Sequence, residues 1–234
     1  MPRPVTTLEA DPVLLRLTDP CRTGTRPSPL PLRTQGAIRR TLFCKRAVDY
    51  GISATLLVLA APFIAVCALL VRLTSRGPAF YSQQRVGQFG RVFTIYKLRT
   101  MYHHCERLTG PTWSVPGDPR VTPVGRLLRA IHVDELPQLV NVLRGQMSLI
   151  GPRPERPEIA AQLAKAIEDY NARSAVLPGI TGHAQVHLPP DTSVADVRDK
   201  VRLDRYYLGR LSLWFDLVTL ARTALMVMGL YRTR

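Results

Sequence analysis

Residues 129–155 read RAIHVDELPQLVNVLRGQMSLIGPRPE and are the stretch around which the chain is organised. Two adjacent carboxylates, Asp134 and Glu135, precede Pro137, and proline is tolerated in the first turn of a helix. Gly145 supplies a stop signal. The pattern predicts a helix that begins with both acids, where neighbouring side chains point roughly 100° apart and can serve one site in different roles. The acids could equally be ordinary complements of the helix dipole.

The apolar spacing of this segment predicts which face of the helix is buried. The face is formed by residues at i, i+3, i+4 and i+7, namely Leu136, Leu139, Val140 and Leu143. Gln138 and Asn141 are predicted to fall on the opposite side.

Composition points to an anionic partner. The 234 residues contain 32 Lys and Arg against 17 Asp and Glu, which gives a formal net charge of +15. Such an excess favours nucleic acid, an acidic membrane surface or phosphorylated substrates, and composition alone does not choose among them. The four cysteines are scattered without metal-ligand spacing and are assigned no role.

The N-terminal third combines a proline-rich tail with one apolar run. Residues 1–38 are rich in proline and arginine without an apolar period, which predicts a disordered tail. Residues 51–71 carry no charge and, as a helix of about 1.5 Å per residue, would just span a hydrocarbon core of about 30 Å. Pro62 lies near the middle of this run and is expected to kink or break the helix.

Basic residues flank the apolar run on both sides, with Lys45 and Arg46 before it and Arg72 and Arg76 after it. A simple crossing would leave one basic pair on the unfavoured side of the membrane. A hairpin that enters, bends at Pro62 and returns would keep both pairs at one face. A spanning helix with a proline kink is the competing interpretation.

Two runs rich in aromatic and β-branched residues follow, at about 79–85 and 91–98, separated by Gly87-Gln88-Phe89-Gly90. They predict a β-hairpin. Alternation places Lys97 and Arg99 on one face of the second strand. That face could be a solvated edge, or it could meet lipid headgroups or a diphosphate.

The C-terminal half is predicted to be mostly helical. Pro152 and Pro154 brace Arg153 in a stiff turn, which favours either a rigid surface turn or recognition of a phosphorylated ligand. Helices are predicted at about 156–174 and 196–208, with a turn at 178–182. The segment 211–230 is apolar apart from Asp216 and Arg222, which favours a helix lying along a membrane interface over a second crossing.

The ordered motifs of the chain resemble those of the monotopic phosphoglycosyl transferases, bacterial sugar transferases that move a sugar-1-phosphate from a UDP-sugar to a polyprenyl phosphate. The likeness covers about residues 44–228. The motifs are K-R-x-x-D from Lys45, G-P-x-F-Y-x-Q-x-R-V-G from Gly77, Y-K-L-R-T-M from Tyr96, D-E-L-P-Q-L-x-N-V-L-x-G from Asp134, M-S-L-I-G-P-R-P-E from Met147, P-G-I-T-G-x-A-Q-V from Pro178 and Y-Y-x-x-x-x-S-x-x-x-D from Tyr206.

The resemblance implies a reaction and a set of roles. Asp134 would be nucleophile and Mg²⁺ ligand, forming an aspartyl-phosphosugar and releasing UMP, with Glu135 as acid/base or positioning group. Polyprenyl (undecaprenyl) phosphate would then accept the phosphosugar, starting assembly of an exopolysaccharide, O-antigen, capsule or glycoprotein glycan. The remaining implied site residues are Arg129, Lys97 and Arg99 for phosphate, Pro152, Arg153 and Pro154 for the nucleotide, and Pro62 for the membrane helix break.

The implied fold is α+β. It consists of a tail over 1–38, a re-entrant membrane helix hairpin over 39–76 and a cytoplasmic catalytic domain over 77–234 with a short β-hairpin and interfacial amphipathic helices. The resemblance is to a small form without the N-terminal four-helix membrane region, held at the cytoplasmic face of the inner membrane. Anionic lipids are expected partners, a homodimer is compatible with the sequence, and nucleic acid is not expected.

Three departures from the family pattern stand out. Ala61 precedes Pro62 where serine is usual, His132 stands where a Ser or Thr helix cap is common, and His187-Leu188-Pro189 replaces N-G-R. Two other functions are alternatives for this sequence. A noncatalytic basic membrane module would explain the charge but not the paired acids, and a glycosyltransferase that moves the sugar alone would release UDP.

Overall fold

A computed structural model describes residues 35–105 and 117–231 of the chain. The predicted tail therefore lies outside the described residues up to residue 34, and residues 35–38 already belong to the first helix. Helix α1 spans Gln35–Thr74. Within it, Arg40–Thr74 is long and apolar enough to cross a membrane, and only 17% of its most apolar window is buried in the protein.

Helix α1 runs through Pro62 without interruption. The predicted break is therefore not seen, since a missing N–H removes only one backbone hydrogen bond and apolar helices tolerate such a loss. The re-entrant path of this helix stays a prediction.

The predicted β-hairpin is confirmed. Strand β1 (Phe80–Val86) pairs antiparallel with β2 (Val92–Leu98), from Val86 opposite Val92 to Phe80 opposite Leu98. The connecting turn places Phe89 and Gly90 at positive φ, at 55° and 77°. Buried residues of β2 pack beneath the segment that carries the two acids, so the hairpin forms the floor of that region.

The segment around the acids is helical, but it divides into two helices. After α2 (Pro123–Ala130), a 3-10 helix covers Val133–Gln138 and α3 covers Leu139–Leu143. Gly145 follows at φ 70°, as expected of a helix stop.

The predicted faces of this helix are wrong in one respect. Gln138 and Asn141 are buried, at 3% and 0% exposure, whereas Leu143 is 38% exposed. The Asn141 amide explains the burial, because it donates to the Thr94 carbonyl at 2.7 Å and accepts from the Tyr96 N–H at 3.3 Å. The side chain thus completes the free edge of β2.

A second sheet was not predicted. Strands β3 (Ser148–Ile150) and β4 (Gly179–Thr181) pair in parallel, and β4 replaces the turn expected at 178–182. Gly179 is required at this pairing, because a Cβ there would lie 2.1 Å from the Gly151 nitrogen. This contact fixes where the chain leaves β3 and enters the proline-braced turn.

The helices predicted at about 196–208 and 211–230 are present, whereas the helix predicted at 156–174 divides in two and the short helix at 183–187 was not predicted. The C-terminal helices are α4 (Pro157–Ala166), a 3-10 helix (Tyr170–Ala175), α5 (His183–His187), α6 (Val194–Gly209) and α7 (Leu213–Val227). Helix α7 is amphipathic, with Trp214 72% exposed on one side and Thr219 1% exposed on the other.

A buried polar cluster ties α1 to the rest of the protein. Lys45 of α1 pairs with Asp216 of α7 at 2.7 Å, and Asp216 also accepts a hydrogen bond from the Tyr207 hydroxyl at 2.8 Å. One turn along α1, Asp49 accepts a hydrogen bond from the Ser148 hydroxyl at 2.6 Å. These residues belong to the first, fifth and last motifs, so those motifs have a structural role here.

Candidate active site

Asp134 and Glu135 lie in the first turn of the 3-10 helix, where the sequence placed them at a helix start. The chain enters this helix through His132, which adopts a left-handed conformation at φ 56°. The His132 side chain makes no capping hydrogen bond. The departure at this position therefore leaves the helix start without a side-chain cap.

Glu135 forms ion pairs with two basic side chains from different elements. Its Oε1 atom lies 2.7 Å from Lys97 Nζ on β2 and 2.7 Å from Arg153 Nη2 in the turn after β3. The side chains of Glu135 and Lys97 are 14% and 17% exposed, whereas Arg153 is 42% exposed. Three separate elements are thus joined by one carboxylate, and Arg153 keeps access to solvent.

The two acids have opposite electrostatic environments. Burial alone would raise the pKa of Glu135, but Arg153 and Lys97 outweigh it and hold that pKa well below its ordinary value. Burial and the neighbouring charge of Glu135 raise the pKa of Asp134, against the smaller opposing effects of Lys97 and Arg129. Glu135 is therefore a fixed anion, and Asp134 is the more readily protonated group.

Asp134 is 8% exposed and accepts no side-chain hydrogen bond from any residue in the described part of the chain. A buried carboxylate without partners keeps both oxygens available to a ligand or an electrophile. The two acids therefore differ in their contacts, with Glu135 paired to two cations and Asp134 without a side-chain hydrogen bond from the described residues.

The phosphate-binding candidates fall in different places. Lys97 contacts Glu135, and Arg129 lies close enough to lower the pKa of Asp134 while its Nε donates to the Thr100 hydroxyl at 2.8 Å. Arg99 is 4% exposed and donates to the Ser75 carbonyl at 2.8 Å and to the Arg76 carbonyl, at the C-terminal end of α1. This geometry gives Arg99 a helix-capping role, and a phosphate contact by Arg99 stays a prediction.

The nucleotide-side candidates border a pocket. Pro152, Arg153 and Pro154 line one wall of a small, open cleft with a cavity volume of about 40 Å³. The other wall comes from the turn after β1 and from the second 3-10 helix, with Tyr170 and Arg173. The cleft and Glu135 share Arg153, so a ligand in the cleft would reach the acids past this guanidinium.

The donor set suits a magnesium ion that is shared with a phosphorylated ligand. Within residues 35–105 and 117–231 no group of three or more His, Cys, Asp or Glu side chains could enclose a metal. Mg²⁺ needs no such group when substrate phosphates and water complete its coordination, and one or two carboxylates suffice. The unpartnered Asp134 carboxylate fits that requirement.

A comparison with protein families shows to which family the chain belongs. The family model described as bacterial sugar transferase matches residues 40–229, which is most of the chain. The chain belongs to the bacterial sugar transferase family. The match includes α1 from residue 40 onward, the hairpin and every residue of the site described above.

Three relatives illustrate the range of the family. The undecaprenyl-phosphate glucose phosphotransferase of Komagataeibacter xylinus is 43% identical over 178 residues, 74% of this chain and 34% of that protein. The UDP-glucose:undecaprenyl-phosphate glucose-1-phosphate transferase of Caulobacter vibrioides is 44% identical over 200 residues, 83% of this chain and 74% of that protein. The exopolysaccharide production protein PSS of Rhizobium leguminosarum bv. phaseoli is 38% identical over 181 residues, 75% of this chain and 90% of that protein. The chain thus spans about a third of the first relative and most of the other two.

Sequence reasoning missed several charged residues around this sugar transferase site. Arg85 of β1 pairs with Glu155 at 3.0 Å, and Arg173 pairs with Asp204 at 2.8 Å. Arg85 and Glu155 both lie within recognised motifs, and that position was a usable signal. Arg173 and Asp204 lie in helical segments of mixed charge, where nothing marks them out from solvated residues.

Proposed function

We propose that this protein is a phosphoglycosyl transferase that moves a sugar-1-phosphate from a UDP-sugar to polyprenyl phosphate and thereby initiates assembly of a bacterial glycan. The observation that carries the proposal is the buried Asp134 carboxylate, which accepts no side-chain hydrogen bond from the described residues, beside a Glu135 that pairs with two cations. The names of the relatives from K. xylinus and C. vibrioides describe this class of transfer.

The proposed reaction has two displacements at one phosphorus. An oxygen of Asp134 attacks the β-phosphorus of the UDP-sugar, the bond to the bridging oxygen breaks, and UMP leaves. A phosphate oxygen of the polyprenyl phosphate then attacks the same phosphorus and releases the Asp134 carboxylate. A covalent intermediate suits a soluble donor and a lipid acceptor because the two need not be bound at once.

The charged neighbours of Asp134 reduce the repulsion between a carboxylate and a diphosphate. Arg153 and Lys97 provide positive charge at fixed positions, because Glu135 holds both at 2.7 Å. Arg129 adds a third cation near Asp134. A magnesium ion held by Asp134 and the substrate phosphates would supply further neutralisation of charge on the transferred group.

Membrane attachment is proposed to occur through α1 on a re-entrant path that keeps both ends of the apolar run at the cytoplasmic face, which requires the continuous helix to bend at Pro62 when it enters the bilayer. The apolar run is flanked by contacts with one folded unit, since Asp49 binds Ser148 before it and Arg99 binds the Ser75 carbonyl after it. A helix that crosses the bilayer would place these contacts on opposite sides. Anionic lipid headgroups are proposed partners of the basic protein surface.

Cysteine labelling tests this topology. Single cysteines at the exposed positions Arg40 and Arg76 are expected to react with an impermeant maleimide only in inverted inner-membrane vesicles. Labelling of one position in intact spheroplasts would refute the re-entrant path.

A product assay tests the function. The purified protein, with Mg²⁺ and undecaprenyl phosphate, is offered a panel of UDP-sugars, and UMP, UDP and lipid-linked product are measured. The proposal expects UMP and a lipid diphosphate sugar from at least one donor, with loss of turnover in EDTA. Release of UDP would identify transfer of the sugar alone, and no release from any donor would favour a noncatalytic membrane module.

The pH dependence of turnover should change in Glu135→Gln. The Glu135 charge raises the pKa of Asp134, whereas Lys97 and Arg153 lower it, so removing that charge should lower the pKa. Because the attacking carboxylate must be ionised, the acid limb of kcat/KM against pH should move to lower pH, while kcat falls about 10- to 100-fold through loss of positioning. Glu158→Gln, with a side chain 61% exposed, is the control. An acid limb that moves upward would contradict the assignment.

A further inference from the structure

The proline-braced turn is held through its carbonyl groups. The four carbonyl oxygens of residues 152–155 each accept a hydrogen bond from a donor outside the turn. In chain order the donors are the Gly179 N–H at 3.0 Å, Arg173 Nη2 at 3.1 Å, Arg85 Nη1 at 3.0 Å and the Val86 N–H at 2.8 Å. Two donors are backbone groups of strands and two are guanidinium groups.

Proline chemistry explains why outside donors are needed. Pro152 and Pro154 have no N–H, so the turn has few donors of its own with which to fix its shape. The Arg153 side chain projects from the centre of this turn, and 42% of it is exposed. Its direction is therefore set by the carbonyl contacts of its own backbone together with the ion pair to Glu135.

Arg173 is built into the protein as a fixed donor. It lies in the second 3-10 helix with its side chain 12% exposed, and it pairs at 2.8 Å with Asp204 of α6, whose side chain is 3% exposed. The guanidinium carbon also lies 5.3 Å from the centre of the Tyr170 ring. Burial lowers the pKa of Arg173, but Asp204 and Tyr170 outweigh it, so the group stays charged.

We propose that Arg173, held by Asp204, is a positioning residue for Arg153. Its Nη2 atom fixes the Arg153 carbonyl, and the fixed backbone directs the Arg153 guanidinium to Glu135 and to the phosphates of the donor. The inference rests on the proposed function in that Arg153 must serve phosphoryl transfer. Neither Arg173 nor Asp204 touches the reacting atoms in this assignment.

The test replaces the buried pair as a unit. Arg173→Met alone would strand a buried carboxylate, whereas Arg173→Met with Asp204→Leu removes both charges and keeps apolar volume, a change that is often neutral for folding. The control is Arg205→Met with Asp169→Asn, which removes an ion pair of 3.0 Å between α6 and the start of the same 3-10 helix without a contact to the turn.

A double-mutant cycle separates positioning from general damage. In the wild-type background the paired variant should lose about 10- to 100-fold in kcat/KM for UMP release, because small misplacements of a charged group are costly. In an Arg153→Ala background the same pair should lose less than about 3-fold, since its effect passes through Arg153. Equal losses in the two backgrounds, or no loss in the first, would overturn the inference.

Hydrogen exchange gives a readout that needs no turnover. The amides of Val86 and Gly179 donate to the turn, so both should exchange faster in the paired variant and at the wild-type rate in the control. Unchanged exchange at both amides would overturn the positioning role. A wild-type protein that released no UMP would contradict the proposed function, and the exchange rates would still decide the inference.

Discussion

Asp134→Asn is expected to lower UMP release more than about 1,000-fold, because loss of an attacking group removes a whole chemical step. Incubation of the wild type with labelled UDP-sugar should yield a phosphosugar bound to the protein, and the variant should yield none. The asparagine keeps the size of the side chain but has no anionic oxygen to attack phosphorus. Intact-protein mass spectrometry after rapid acid quench measures the adduct.

Stability separates loss of chemistry from loss of fold in this variant. Because the pKa of Asp134 is raised above its ordinary 3.8 in the folded protein, ionisation costs stability as the pH rises through the folded pKa. Asp134→Asn removes that cost, so its thermal midpoint at pH 7 should equal or exceed that of the wild type. Robust UMP release by a well-folded variant would refute the nucleophile assignment. Asp199→Asn, on an exposed side chain, serves as the matched control.

Glycine and proline positions in the sequence correctly predicted the β-hairpin and the limits of the helical segment that carries the acids. The glycines at 87 and 90 marked the hairpin, and Pro137 with Gly145 marked the start and end of the helical segment that carries the acids. The pairing of Glu135 with Arg153 brings together residues only 18 positions apart. The order of motifs placed the acids, Lys97 and Arg153 in one candidate site, and the structure brings these residues together.

Contacts between distant segments were the ones that sequence reasoning could not supply. The helical pattern predicts a solvent-facing amide at Asn141. The side chain is buried because its oxygen accepts a hydrogen bond from the N–H of Tyr96 on β2, 45 positions earlier. Arg99 lies one residue beyond the end of β2, and its guanidinium donates to carbonyl groups at the end of α1. The β3–β4 pair is three residues long on each side and wholly non-local, so no periodicity reveals it.

Lys45 has a different role in the structure from the one that its place in the sequence predicts. In the sequence it was one of the basic flanks of an apolar run, a class of residue that usually meets lipid headgroups. In the structure its side chain is 9% exposed and lies against the Asp216 carboxylate. The charge therefore serves attachment of α1 to the domain, and the remaining flanking arginines carry the electrostatic argument for a single membrane face.

Asp216→Leu is accordingly expected to reduce the free energy of unfolding by about 3–5 kcal/mol, because it leaves the buried Lys45 ammonium without its closest partner. The Tyr207 hydroxyl would lose its 2.8 Å acceptor in the same variant. Thermal or denaturant unfolding of the protein in detergent micelles measures the change. UMP release should fall in parallel with the folded fraction, since none of these side chains belongs to the proposed reaction.

Adding Lys45→Met and Asp49→Asn to that variant should recover at least half of the lost stability, because Lys45 also pairs with buried Asp49 at 3.9 Å and the combined change removes all three charges of the buried cluster, while the new asparagine keeps an oxygen that can accept from the Ser148 hydroxyl. The exposed pair of Arg202 and Asp199, with side chains 74% and 56% exposed, is the control, and its replacement should change stability by less than about 0.5 kcal/mol. A triple variant as unstable as Asp216→Leu alone would show that the Lys45–Asp216 contact is not what holds α1 to α7.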